Sequence, residues 1–410
     1  MMRRLRIAAV GVGSMAEART AGHLGVIAAL EDHYELCALV DLDRKRLREA
    51  GEHFGVEALY TDLDEMLRNE RPDVVYRLTP TDSVYPVCVK AAEAGAHVIS
   101  EIPIAITLEM ADAIMAACRR NNVKLEIAEN VWLWPEEQLK QKIVRQSLLG
   151  KITFARLKYP CGAYHGFNAI RMIIGKEPTR VLGYAGRAEV VPQRAYGGDP
   201  MTWSWWESAV IEFPDGTGCI YEMPPKGRKW RRNWDIEGTR GQIYGDTLIL
   251  LDYRKAGDDP EFFAGEVEYP IERLYAEARG KQLLSAVRVN TDPPVVWENP
   301  YLRYGIGHGD DIAKAAILES MYRAVTEGIE PRYGAANARR DYEIWIAIRE
   351  SALRGNVWVE LPLKEKTALE REMEAAFVRR YGMEMLSDPD RLIRLRYTRA
   401  SVIWDVAGWL

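Results

Sequence analysis

Arg6-Ile-Ala-Ala-Val10 and, directly behind it, Gly11-Val-Gly-Ser-Met-Ala16 form the stretch of sequence that decides the fold. An apolar run that ends in a glycine turn is typical of the first strand of a parallel sheet and of the turn that holds a dinucleotide. Gly11 and Gly13 let the backbone approach a pyrophosphate, and the small Ala16 stands where a third glycine allows close helix packing. These residues predict a phosphate-binding turn.

A helix is predicted to start in this turn, at about Ser14, and to end near Leu30. Its N-terminal amides and the positive end of its dipole face the phosphates, so Ser14 and Met15 join the predicted cofactor contacts. A second apolar run ends in Asp41, about twenty residues beyond the glycines, where a carboxylate hydrogen-bonds a ribose diol.

The charge of Asp41 bears on the choice of cofactor. A carboxylate at this place repels a ribose phosphate, so the sequence favours NAD over NADP. Arg44 and Lys45 follow closely and weaken the preference, which leaves NADP open. Strand, turn, helix, strand and acidic terminus occur in one order. That order favours a nucleotide-binding domain over a doubly wound domain that has lost its nucleotide.

Length and composition indicate more than one domain. The chain has 410 residues, 48% of them hydrophobic and 28% charged, which predicts a soluble protein of two domains with an appendage. The net charge of -5 predicts no nucleic-acid partner. The basic cluster at residues 226–232 is a local exception, interpreted as a solvated hairpin or as a contact for an anionic substrate or partner chain.

The cysteines and histidines argue against a disulfide framework and a metal site. Five scattered cysteines without a C-x-x-C pair predict buried, reduced thiols and a cytoplasmic protein. The six histidines show no ligand spacing. The basic start resembles an export signal, but the apolar run behind it is short and belongs to the first strand. No stretch reaches the roughly eighteen apolar residues of a membrane span.

Helix and strand signals alternate behind Asp41, as a parallel sheet requires. Helices are predicted over residues 43–54, 62–69, up to 94 and 107–120, and strands over residues 73–78, 97–100 and 124–128. The carboxyl ends of such strands face the cofactor. The residues predicted to line the site on this ground are Thr79, Pro80, the loop through Tyr85, Glu101, Pro103 and Asn130.

Antiparallel signals begin at residue 151. Strands are predicted over residues 152–158, 181–190, 209–213, 218–222, 236–251 and 267–269, followed by helices over 311–327 and 336–353 and a strand over 357–361. The predicted fold class is α/β. Residues 1–129 form a Rossmann domain with a doubly wound parallel sheet, residues 130–363 an α+β domain for substrate binding and dimerisation with an open-faced, largely antiparallel sheet, and residues 364–410 a C-terminal extension.

With these residues in view, the chain resembles the Gfo/Idh/MocA oxidoreductases, which are sugar- and inositol-type dehydrogenases with a Rossmann domain and an open-faced sheet. The resemblance covers residues 3–363. Its markers are the glycine turn with Asp41, Pro72-Asp-Val-Val75 with Thr79-Pro80, Ala94-Gly-Ala-His-Val98 with Glu101-Ile-Pro103, Glu129-Asn130, His165 with Arg171 and Gly175, and residues 237–241 and 351–362. The resemblance implies an NAD-dependent enzyme that forms sheet-to-sheet dimers.

Three positions depart from the pattern of the family. Relatives carry the lysine of a Glu-Lys-Pro motif where this chain has Ile102, and many carry aspartates where it has Cys161 and Asn168. His165 is the remaining matched titratable group, and the unperturbed pKa of an imidazole suits general acid/base work. We therefore predict that His165 is the catalytic acid/base.

Two tyrosines are further catalytic candidates. Tyr164 is the chain neighbour of His165, and Tyr85 stands where relatives often carry histidine, so either hydroxyl is a candidate to relay or orient the proton. A satisfied structural histidine is the other interpretation of His165. Asp310 and Asp311 precede a predicted helix and are interpreted first as its caps.

The run Trp203-Ser-Trp205-Trp206 has two interpretations: it packs the sheet, or it stacks on a sugar face. At strand period Trp203 and Trp205 share one face and Trp206 takes the other. Packing is favoured, since buried aromatic residues mostly stabilise cores and interfaces.

The leading functional prediction is an NAD-dependent oxidoreductase that acts on a CH-OH group of a sugar, glycoside or cyclic polyol. A redox-neutral, NAD-dependent glycosidase or lyase is an alternative, since some relatives also lack the lysine. A non-catalytic NAD-binding protein is a third. The 12 tryptophans and the open sheet predict a homodimer or homotetramer, in which the extension packs on its own or a neighbouring subunit.

Overall fold

The computed structural model describes residues 3–13, 22–159, 163–194, 200–225, 233–252 and 265–407. Within these ranges the strands assemble into a six-stranded, a nine-stranded and a three-stranded sheet. In the same ranges no helix is long and apolar enough to span a membrane.

The N-terminal sheet consists of β1 (Leu5–Val10), β2 (Tyr34–Val40), β3 (Leu59–Tyr60), β4 (Val74–Arg77), β5 (His97–Ser100) and β6 (Leu125–Ile127). The helices that accompany it are α1 (His23–Ala29), α2 (Arg44–Phe54), α3 (Leu63–Glu70), α4 (Val84–Glu93) and α5 (Leu108–Arg120). All strands are parallel, in the order β3-β2-β1-β4-β5-β6. The order reverses between β1 and β4, which is the switch point where doubly wound sheets bind ligands.

The C-terminal domain begins with α6 (Pro135–Arg145), β7 (Ile152–Lys158), α7 (Ala163–Ile174), β8 (Arg180–Arg194), β9 (Pro200–Glu212), β10 (Gly218–Met223), β11 (Asn233–Gly238), β12 (Gly241–Tyr244), β13 (Thr247–Asp252) and β14 (Gly265–Pro270). It continues with β15 (Glu272–Ala278), β16 (Lys281–Val289), β17 (Val295–Glu298), α8 (Gly309–Glu327), α9 (Gly334–Leu353) and β18 (Val359–Glu360). The large sheet has the order β14-β13-β12-β11-β7-β10-β9-β8-β18. The predicted fold class is confirmed.

Several elements match their predicted bounds. β5 and β7 occupy the predicted residues, and the Thr107 side chain caps α5 by accepting from the Met110 N–H at 3.2 Å. One pairing differs from the predicted antiparallel run, because β7 and β10 are parallel neighbours. The helices α6 and α7 and the sheet β15–β17 were not predicted. Of the helix expected at residues 14–30, α1 is described, and residues 14–21 lie outside the described ranges.

The extension contains α10 (Ala368–Tyr381), α11 (Pro389–Leu392) and α12 (Val402–Ala407). It packs on its own chain, which was one of the two expected arrangements. Its buried apolar side chains belong to the core of the protein, and they include Leu369, Met373, Ala376, Phe377, Met385, Leu392, Val402, Ile403 and Val406. The Trp404 ring stacks on Trp205 of β9, with 6.0 Å between ring centroids. This contact favours the packing interpretation of the tryptophan run, although Trp203 stays partly exposed.

Candidate functional site

The glycine turn lies at the switch point of the parallel sheet. Gly11 has a φ of 95°, and a Cβ at this residue would lie 2.9 Å from the backbone carbon of Leu78. Its N–H donates to the Val40 carbonyl at 2.7 Å. Glycine is therefore required where β1 passes β4. Ser14, Met15 and Ala16, the other predicted phosphate contacts, lie outside the described residues.

Asp41 at the end of β2 anchors the turn. One carboxylate oxygen accepts from the Val12 N–H and the other from the Asp43 N–H, both at 2.8 Å. Each oxygen keeps a lone pair for a ribose hydroxyl. The nearby cation is Arg46, whose Nη1 lies 3.9 Å from the carboxylate, whereas Arg44 is exposed at the start of α2. Of the two arginines at the start of this helix, Arg46 and not Arg44 thus lies beside the Asp41 carboxylate.

These features fit a dinucleotide. A turn that excludes side chains, an ordered acidic terminus on the neighbouring strand and the 3-2-1-4-5-6 strand order occur together. The residues that would hold the adenosine half are Gly11, Gly13 and Asp41.

A buried arginine joins the loops behind β4 and β5. Arg77 is fully buried and donates to the Thr79 carbonyl at 2.7 Å, to the Ser100 hydroxyl at 2.8 Å and to the Glu101 carbonyl. The Thr79 hydroxyl lies 2.7 Å from the hydroxyl of Ser83. Thr79, Pro80 and Glu101 thus lie at the carboxyl edge of the sheet. Pro103 follows a cis peptide bond in the second loop.

Glu101 belongs to a chain of buried polar groups. Its Oε1 lies 2.9 Å from His23 Nε2, and His23 Nδ1 lies 2.7 Å from the Tyr76 hydroxyl. A carboxylate only accepts, so Nε2–H donates to Glu101, and the hydrogen bond between Nδ1 and the Tyr76 hydroxyl extends the chain. Burial raises the pKa of Glu101, but His23 and then Arg77 lower it further, and the net shift is downward. Glu101 is therefore held ionised.

His165 on α7 faces Glu129, the residue two positions after β6. The imidazole Nδ1 lies 2.9 Å from Glu129 Oε1, and the Glu129 side chain is 3% exposed. Burial lowers the pKa of His165, while the charge and hydrogen bond of Glu129, followed by the charges of Glu101 and Asp310, raise it above its usual value. Nδ1–H therefore donates to Glu129, and Nε2 has no hydrogen-bond partner among the described residues.

Asp310 enters the same cleft from α8. Its Oδ1 accepts from the Asn130 amide and, at 3.4 Å, from Trp134 Nε1, while its Oδ2 lies 2.8 Å from Lys314 Nζ. No side-chain hydrogen bond caps α8, whose N-cap is His308. The interpretation of Asp310 as a helix cap is therefore wrong, because its Oδ1 accepts from groups across the cleft and its Oδ2 binds Lys314 on the next turn of α8.

The two tyrosine candidates, Tyr164 and Tyr85, differ in their contact with His165. The Tyr164 ring is buried against His165, with 4.7 Å between centroids. Tyr85 lies on α4, where the charges that act on its hydroxyl are those of Glu93, Arg120 and Asp388. The structure thus brings the ring of Tyr164, and not that of Tyr85, into contact with His165.

Asn168 has a structural role. Its side-chain oxygen accepts from the Trp132 N–H at 3.1 Å and so holds the turn that follows Asn130. Cys161 lies outside the described residues. The sequence did not identify His23 and Lys314 as site residues, and Glu129 served only as a marker of the family resemblance. The polar run His308-Gly-Asp310-Asp311, just before Lys314, was a signal that this helix start contributes to the site.

Residues 5–129 match the profile of an oxidoreductase family with an NAD-binding Rossmann fold, GFO_IDH_MocA. The chain is 38% identical over 128 residues to D-apiose dehydrogenase of Paraburkholderia graminis. The aligned residues make up 31% of this chain and 34% of the relative. It is 29% identical over 167 residues to an alpha-N-acetylgalactosaminidase of Shewanella oneidensis, and these residues make up 38% of this chain and 35% of that relative. The matched stretches thus span about a third of these relatives.

The fold also matches a solved structure of levoglucosan dehydrogenase in complex with NADH and levoglucosan. The TM-score is 0.66 at 20% identity, and the match covers 88% of this chain and 100% of the other. This likeness extends the shared fold beyond the Rossmann domain. The N-terminal domain of this chain, with its glycine turn and its strand order, is thus similar over residues 5–129 to the Gfo/Idh/MocA oxidoreductases.

Proposed function

We propose that this protein is an NAD-dependent oxidoreductase that acts on a CH-OH group of a sugar, glycoside or cyclic polyol. The observation that carries the proposal is the Glu129–His165 pair, held at the carboxyl edge of a dinucleotide sheet with the second imidazole nitrogen unpaired among the described residues. Bound NAD would accept the hydride from the alcohol carbon.

The residues of the chain handle the proton. Glu129 fixes the ring of His165 and stabilises the imidazolium that forms when Nε2 takes the hydroxyl proton. Glu101 and Asp310 add negative charge nearby. Ile102 supplies no proton donor, so His165 is the acid/base in this proposal.

The walls of the cleft suit a carbohydrate. Asn130 and Asp310 present polar groups that can bind hydroxyls. Trp134 is partly buried and stacks on Trp234 at an interplanar angle of 8°. A sugar can pack its C–H face on such a ring. The similarity to D-apiose dehydrogenase supports a sugar substrate.

The test is an assay of the purified protein with NAD and a panel of aldoses, anhydrosugars and cyclitols. Formation of NADH, followed by its absorbance, should depend on the sugar. The proposal fails if no member of the panel gives sugar-dependent NADH or a sugar product.

A redox-neutral glycosidase or lyase is the second candidate. Ile102 stands where relatives carry a lysine, so the cleft lacks that proton-transferring group. The similarity to an alpha-N-acetylgalactosaminidase supports the second candidate. Glycoside cleavage without net NADH would identify this activity. NAD retained through purification, detected by mass spectrometry, would favour it as well.

The rate of oxidation should fall at acidic pH, because His165 becomes protonated. The imidazole must be neutral to take a proton, and its pKa is raised by Glu129, Glu101 and Asp310 despite burial. The acid limb of kcat/KM for oxidation is therefore expected above the usual imidazole pKa of about 6.5. An acid limb below this value would contradict the assignment.

Asp41→Ala should weaken NAD binding more than NADP binding. The carboxylate accepts both ribose hydroxyls in this proposal, and its removal leaves Arg46 free to attract a ribose phosphate. The Kd values of both cofactors, measured by titration, test this. Asp43→Ala is the control, since it removes a neighbouring carboxylate that caps α2. Unchanged affinity of Asp41→Ala for NAD would show that Asp41 does not bind the cofactor.

We also propose that the chain is a cytoplasmic homodimer or dimer of dimers. On the large sheet, Leu182 pairs with Val210 and Tyr184 with Ser208, and Tyr184 and Val210 are exposed large side chains of the described residues. A two-fold partner would cover them without leaving an open edge. Sedimentation at micromolar concentration should give at least twice the mass of one chain, and a monomer would contradict the proposal.

A further inference from the structure

We propose that Asp310 binds a second substrate hydroxyl, next to the one that reacts, and that Lys314 is the positioning residue that holds Asp310 for this task. This inference rests on the proposed function and deepens it. It implies that the preferred substrates are vicinal diols, as in sugars and cyclitols, and that simple alcohols are poor ones.

The carboxylate of Asp310 has room for one more donor. Two of its partners, Asn130 and Trp134, share Oδ1, and Lys314 binds Oδ2. A carboxylate offers about four acceptor positions. The side chain is 32% exposed although protein groups surround it. An acceptor position is therefore left for a ligand.

Asp310 lies close to the Glu129–His165 pair. The charge of Asp310 contributes to the raised pKa of His165, and the charge of His23 in turn acts on Asp310. Asn130, which donates to Asp310, directly follows Glu129, the partner of His165. A diol that places one hydroxyl at His165 Nε2 can thus offer its neighbour to Asp310.

Lys314 keeps Asp310 ionised and in place. The ammonium lies one helical turn behind Asp310, its side chain is 10% exposed, and it also lies 3.7 Å from Asp311 Oδ1. Burial raises the pKa of Asp310, but the charge and hydrogen bond of Lys314 lower it further, so the net shift is downward. The first turn of a 19-residue helix also favours an anion.

The experiment compares a substrate with its monodeoxy analogue in four variants. The substrate is the best sugar of the panel, and the analogue lacks one hydroxyl beside the reacting carbon. Wild type should prefer the full sugar about tenfold to a hundredfold in kcat/KM, the size of a hydrogen bond to a charged group. Asp310→Asn and Lys314→Met should reduce this ratio toward one, and Lys314→Arg should restore much of it.

The matched control lies on the same helix. Arg323 and Glu327 form an exposed pair with the i,i+4 spacing of Asp310 and Lys314. Arg323→Met should keep the preference of wild type. The NAD affinity of all variants, measured by titration, should stay unchanged. A preference that survives in Asp310→Asn overturns the proposal.

An NMR titration separates this inference from the proposed function. The ring protons of His165, assigned with His165→Gln, should report a lower pKa in Asp310→Asn than in wild type, because one raising charge is removed. This measurement needs no turnover. An unchanged pKa would place Asp310 outside the site, whether or not a sugar is oxidised.

Discussion

Replacing His165 with alanine is expected to lower turnover about a hundredfold or more, the usual size of lost general acid/base help. The imidazole is held by Glu129 at 2.9 Å and presents Nε2 to the cleft. Its removal leaves Ile102, which accepts no proton, and carboxylates such as Glu129, which are much weaker bases than an imidazole. Steady-state kinetics with the best sugar of the panel measures the effect.

The Kd for NAD should stay close to that of wild type, since His165 contacts Glu129 rather than the glycine turn. His53→Ala serves as the matched control, because this imidazole is exposed on α2 and should be silent. Near-normal turnover of His165→Ala would transfer the acid/base role to Tyr164, whose ring packs against it.

Truncation after Leu363 is expected to cause the largest loss of stability. Asp82, 1% exposed in the turn behind Pro80, accepts from Ser401, from the Val402 N–H at 3.2 Å and from the Tyr381 hydroxyl at 2.8 Å. Without the extension Asp82 loses these hydrogen bonds, and the apolar face that the extension covers is exposed to water. We expect a loss of more than about 5 kcal/mol, on the scale of several buried side chains. Thermal unfolding followed by circular dichroism measures it.

A graded variant tests the extension even if the truncated chain does not fold. Phe377→Ala should cost about 3–5 kcal/mol, because this ring is 1% exposed. Val378→Ala on the same helix is the control, since Val378 is 42% exposed and should cost little. Equal melting temperatures for Phe377→Ala and wild type would show that the extension does not stabilise the protein.

Truncation should also weaken NAD binding. Asp82 lies two residues beyond Pro80, and Glu370 of α10 accepts from the Leu108 N–H at 2.9 Å, at the start of α5. Both contacts tie the extension to loops that line the predicted cofactor edge. A folded truncated chain is therefore expected to bind NAD more weakly than wild type.

Local signals in the sequence determined much of the Rossmann domain. Strands buried on both faces are rich in apolar residues, so the run Ile7–Val10 of β1 was readable without the fold. Caps act within one helical turn, and Thr107 was therefore identified correctly. The requirement for glycine at Gly11 is equally local, because it follows from the backbone of the turn.

The tertiary structure alone decided which polar groups meet. Asn130 and Asp310 are 180 residues apart and Glu129 and His165 are 36 apart, and no periodicity along the chain links them. The sequence also did not predict in which direction a side chain leaves its helix. Arg46 rather than Arg44 lies beside Asp41 because α2 starts at Arg44, and a two-residue step turns the side chain by about 200° around the helix. Strand pairing, such as the parallel neighbours β7 and β10, depends on contacts across the whole domain, so no local pattern encodes it.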